Sequence, residues 1–127
     1  MRLAIAVALT LITAMPARAT DDIECRAADN AAWISFVVGT TPGLNPLGLS
    51  MGAGARTWST AKENGGTLIE VKQAFSTDDE MKIDVISAGK PAAFLRMGFA
   101  HEYGQEPVLA GVLHIVDVGA WPVVCGE

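Results

Sequence analysis

The chain has 127 residues, half of them hydrophobic, with 9 basic and 14 acidic side chains and a formal net charge of −5. That length supports a single core. The acidic balance argues against the basic footprint that nucleic acid demands and against an electrostatic anchor on anionic lipid, whereas a cationic partner is favoured.

The N-terminus reads as an export signal over residues 1–19. Arg2 supplies the positive start, and Leu3 to Ala14 form an apolar run too short to span a bilayer. Pro16 breaks it, and Ala17-Arg18-Ala19 gives the small-x-small cleavage pattern. Cleavage leaves a β-rich domain over 20–127, expected in a bacterial periplasm. Loss of Arg2 and Arg18 leaves 7 basic residues against 14 acids, a net charge of −7. No later run is long enough for a transmembrane helix, and no cysteine at the cleavage site offers a lipid anchor.

Beyond residue 19 the periodicity is mostly two. A short strand is expected at Cys25, then a β-branched, aromatic one over Ala31 to Val38. Thr40 to Pro46, with Pro42-Gly43 and Asn45-Pro46, reads as loop, and the glycine-rich Leu47 to Ser59 as its continuation. In Thr67–Phe75, Ile69, Val71 and Phe75 share one face; Met81, Ile83 and Val85 do so in the next strand. Ser76 to Glu80 is turn chemistry. A hairpin centred on Asp78 pairs Phe75 with Met81, Val71 with Val85 and Lys72 with Asp84. A second hairpin, turning at Tyr103 to Pro107, sets Leu95, Met97 and Phe99 against Leu109, Leu113 and Ile115. It leaves Val108, Val112 and Val116 on the other face, which calls for cover by Leu44 to Met51 or by a partner. The last strand, Trp121 to Cys125, contains Pro122 and is expected at an edge or strand start.

Cys25 and Cys125, near the two ends of the exported chain, read as a disulfide in an oxidising compartment. The first and last strands are then neighbours, with Cα atoms within about 7 Å. The expected fold is all-β: one small antiparallel β-sandwich or partly closed β-barrel of about seven or eight strands, its first and last strands joined by that bridge.

Gly48-x-Ser50-x-Gly52 spells a hydrolase nucleophile elbow, which needs a strand before the serine and a helix after it. Two glycines follow Ser50, and no α/β sheet is foreseen. A small serine hydrolase using Ser50, with Asp84 and His114, is therefore the third reading. Gly52-x-Gly54 opens a dinucleotide fingerprint, but Thr57 stands at its third glycine. His101 and His114, the only histidines, are expected about 16–20 Å apart along one hairpin, and Asp78-Asp79-Glu80 lacks the spacing of a calcium loop. No cofactor and no metal are expected. Of the three tryptophans, Trp33 and Trp121 are expected in the core, and Trp58 beside the glycine-rich loop is the candidate for contact.

In size, compartment, acidity and terminal cysteines the chain resembles small periplasmic inhibitors of animal-type lysozyme, acidic β-barrels that insert a loop into the enzyme's cleft. Where that family carries Ser-Gly-x-x-Tyr, this chain has Ala53-Gly54-Ala55-Arg56-Thr57, and Lys72 is followed by Gln73 instead of glycine. The resemblance implies inhibition by Ser50, Arg56 and Trp58 on the inserted loop. The leading expectation is a non-enzymatic exported domain that binds a protein or cell-envelope component through Ser50, Arg56 and Trp58 or through Val108, Val112 and Val116.

Overall fold

The computed structural model describes residues 21–39 and 43–126; the expected export signal lies outside them. The strands are β1 (Asp21–Ala27), β2 (Ala32–Val38), β3 (Pro46–Ala53), β4 (Arg56–Ser59), β5 (Thr67–Leu68), β6 (Glu70–Ser76), β7 (Glu80–Ser87), β8 (Lys90–Ala100), β9 (Val108–Ile115) and β10 (Gly119–Gly126). They form one sheet in the order β5-β4-β3-β2-β1-β10-β9-β8-β7-β6. Among the described residues every pairing is antiparallel except β4 with β5.

The described residues are all-β, as their two-residue periodicity requires, with ten strands where about seven or eight were expected. Three additions account for the difference. The glycine-rich Leu47–Ser59 stretch, expected as loop, belongs to the hairpin β3–β4, and Thr67–Phe75 divides at Ile69 into β5 and β6. The division nearly closes the barrel. β5 pairs with β4 at one edge, and one residue later β6 pairs with β7 at the other. Ile69 N–H donates to the Ser59 carbonyl over 3.0 Å, and Ser87 Oγ donates to the Leu68 carbonyl over 2.9 Å, which ties the two edges together.

At the opposite side of the ring β1 lies beside β10, with Cys25 directly facing Cys125 in a disulfide. Their Cα atoms are 3.9 Å apart, so the neighbouring of first and last strands read from the cysteines holds. One inward row runs in register through Phe99, Leu109, Cys125, Cys25, Ile34, Met51 and Trp58, from β8 to β4. Leu95, Leu113 and Val123 form further inward positions on β8, β9 and β10, and Ile83 extends the core to β7.

The first expected hairpin forms, but its register holds only in part. Val71 faces Val85, and a bulge at Lys72 then advances β6 by one residue, so Gln73 faces Asp84 and Ser76 faces Met81. Phe75 consequently points outward and is exposed. The turn follows its chemistry: Thr77 Oγ1 accepts from the N–H groups of Asp79 and Glu80. The second hairpin pairs Leu95 with Leu113 and Phe99 with Leu109, as expected. Pro122 does not mark an edge, since β10 is flanked by β9 and β1. It lies just beyond the last β1 partner, Ala27 opposite Val123, where no β1 carbonyl awaits its missing N–H.

Tight turns crowd one end of the barrel, at Gly54-Ala55, Ala88-Gly89 and Val116–Val118. The β6–β7 turn and the longer 101–107 loop sit at the other. Among the described residues no helix is long and apolar enough to cross a membrane.

Candidate functional site

Ser50 lies in the middle of β3, facing outward between Ser35 of β2 and Ser59 of β4. The strand–turn–helix of a nucleophile elbow is absent around it. Its hydroxyl is 3.1 Å from Ser59 Oγ. Ser59 Oγ also accepts from Ala61 N–H at 3.1 Å and from the Asn64 amide at 3.2 Å. A hydroxyl has two lone pairs and one proton. With both lone pairs occupied, Ser59 donates to Ser50, and Ser50 accepts. This arrangement ties the 60–66 crossover to β4 and brings no base to Ser50. The hydroxyls line a small groove of about 200 Å³ with Gly48 and Asn64.

The other two residues of that stretch separate. Trp58 turns inward against Met51 and is only 5% exposed, so it is core and presents no contact surface. Arg56 stays exposed, with its guanidinium 5.0 Å from the Trp58 ring centroid. The indole on the outer wall is Trp33, which lies flat on Gly52: a Cβ there would come within 2.5 Å of Trp33 Nε1. Gly54 has φ +57° at the hairpin turn. The Gly52-x-Gly54 spelling therefore serves one close approach and one tight turn.

On the outer wall of β9 and β10 an apolar patch stands open. Val108, Val112 and Val124 are 54%, 44% and 60% exposed. Val124 faces Ala110, which places it diagonal to both other valines, and Pro122 faces Val112. Val116 is half-buried beyond the end of β9, its N–H bonded to the Ala92 carbonyl at 2.9 Å. Leu44–Met51 does not provide the expected cover, because β3 pairs with β2 elsewhere in the ring. Alternation about the inward Val123 points Val124 and Pro122 outward as well, so parity in the last strand places both on this face.

The loop-bearing end holds a cleft of about 820 Å³. Ile23, Phe99, Leu109 and Cys125 form its apolar floor, and Gly104 to Pro107 its wall. The two histidines lie apart. His101 approaches the Asp78 carbonyl at 3.3 Å, whereas His114 packs against Phe94 on the outer wall. Among the described residues no group of three or more His, Cys, Asp or Glu side chains is arranged to hold a metal ion. The chain matches no family model, no curated protein and no solved structure.

Proposed function

We propose that this chain is an exported, non-enzymatic binding domain that engages a protein partner through the outer face of β9 and β10. The observation that carries the reading is the contiguous exposure of Val108, Val112 and Val124 around Ala110, with Pro122 beside them. Full burial of a valine side chain stabilises by about 1.5–3 kcal/mol. Three about half exposed on adjoining strands leave an interface roughly half of that each to recover. The Cys25–Cys125 bridge suits an oxidising compartment, and Ala17-Arg18-Ala19 supports export into it.

A photo-crosslinking residue at position 110, in the exported protein, tests the reading, with a control at Lys90 by the tight turns. One dominant crosslinked protein from position 110 and none from position 90 is expected. Val112→Lys should abolish that product and leave the fold intact, because the side chain already meets water. A product that survives Val112→Lys, or none at all, defeats the proposal. Lysozyme inhibition, or ester hydrolysis lost in Ser50→Ala, would put one of the other two readings in its place.

A further inference from the structure

The cleft at the loop-bearing end is a separate surface with chemistry of its own. Its floor is apolar and faces inward: Ile23, Phe99, Leu109 and Cys125. Its volume of about 820 Å³ lies within the range of small-molecule sites, roughly 300–1,000 Å³. Six carboxylates lie at the same end of the barrel, and one of them, Glu106, lines the cleft itself: Asp21 and Asp22 open β1, Asp78 and Asp79 occupy the β6–β7 turn, and Glu102 and Glu106 lie in the 101–107 loop. The turn and the cleft are joined directly, because Phe99 N–H donates to the Asp79 carbonyl over 2.9 Å.

None of those six carboxylates forms an ion pair with a described residue. The three ion pairs found are Arg26–Glu24, Lys82–Glu80 and Arg96–Asp84. Residues 21–25, 77–79 and 101–107 contain no lysine or arginine at all. The same rim carries Tyr103, the only tyrosine of the chain, which is 99% exposed while its backbone N–H bonds Glu102 Oε1 at 3.3 Å. Tyr103 follows Glu102 and precedes Glu106 in this loop, and an exposed aromatic ring can meet a cation on its face, which attracts positive charge.

We infer that this end of the barrel binds a small cationic amphiphile, with its apolar body on the Ile23–Phe99–Leu109 floor and its ammonium group between Tyr103 and the Glu102 and Glu106 carboxylates. The rim repels an anion of the same shape, and a neutral body of that shape gains from the floor alone. This site is independent of the β9–β10 face and stands whether or not a protein binds there.

Calorimetry with octyltrimethylammonium, octanoate and octan-1-ol, combined with methyl NMR of Ile23 and Leu109, provides the test. The cation should bind, move both methyl signals, and weaken as salt rises to about 0.5 M, where screening reaches within several ångströms. Octanoate should not bind, and octan-1-ol should bind more weakly with no salt dependence. Tyr103→Ala should weaken the cation about threefold to fivefold, with Tyr103→Phe close to the parent. The Glu102→Gln, Glu106→Gln pair should weaken the cation and leave octan-1-ol unchanged. All the substituted groups are exposed, so the fold should not be at stake. Octanoate binding as tightly as the cation, shifts that concentrate elsewhere, indifference to both rim changes, or no binding up to about millimolar probe would overturn the inference.

Discussion

Gly111 and Gly52 show how far the demands on one position depend on its neighbour across the sheet. A Cβ at Gly111 would overlap the Arg96 backbone carbonyl, which no rotamer change relieves, so β8 and β9 would have to part. The nearest atoms to a Cβ at Gly52 belong to the Trp33 ring, which is partly exposed and can swing away. Gly111→Ala should therefore cost about 1–3 kcal/mol or more in denaturant unfolding. Gly52→Ala should cost less and should shift the Trp33 fluorescence toward that of a solvated indole. Equal losses would contradict this account. Neither requirement can be seen in the chain, because the atom that forbids a side chain belongs to another strand. The tryptophans were more legible than their expected places. Ala32, Ile34 and Phe36 alternate inward, so Trp33 belongs outward with Ser35 and Val37, and a parity count finds this where a size rule does not.

Alternation legibly gave both hairpins at the scale of elements, yet it could not reveal the bulge at Lys72. A bulge inserts a residue without altering the hydrophobic pattern before it, so the reading stayed true at Val71–Val85 and failed at Phe75. Its consequence is local chemistry: Asp84 accepts from Gln73 Nε2 and from Arg96 Nη2, each at 2.6 Å. A double-mutant cycle on Arg96 and Asp84 should give a favourable coupling of about 0.2–1 kcal/mol, small because the guanidinium is solvated, and smaller in salt. The cycle on Lys72 and Asp84 should give none. The β4–β5 crossover depends on Ser59 in a similar way. Ser59→Ala strips an acceptor from Ala61 N–H and from Asn64 and should cost about 1–3 kcal/mol, whereas Ser50→Ala should cost about 0.5–1.5 kcal/mol, since it removes only the acceptor of the Ser59 proton. The reverse order would mean that Ser50, not Ser59, holds the crossover.

Taken whole, the molecule is two meanders, β1–β4 and β7–β10, joined through β5–β6 on one side and the β1–β10 seam on the other. The cysteines made that seam legible; the β3–β4 hairpin stayed hidden, because its glycines look like loop until Trp33 and the Gly54 turn explain them. The bridge closes a loop with a sequence separation of 100. Replacing both cysteines by alanine should remove about 2–5 kcal/mol of stability. Amides along β1 and β10 should be the first to lose hydrogen-exchange protection. Unchanged stability would show that the seam holds without its staple.

The strand order also sets a timetable. Each neighbouring pair within a meander is a local hairpin and can form as soon as its second strand has emerged into the compartment where the chain folds. β1 is different: one of its edges finds β2 at once, and the other waits for the strand furthest from it along the chain. Throughout that interval Cys25 is a free thiol and the edge of β1 is a template for any passing strand. A nascent chain halted before β10 carries nearly all of its hairpins and still cannot shut.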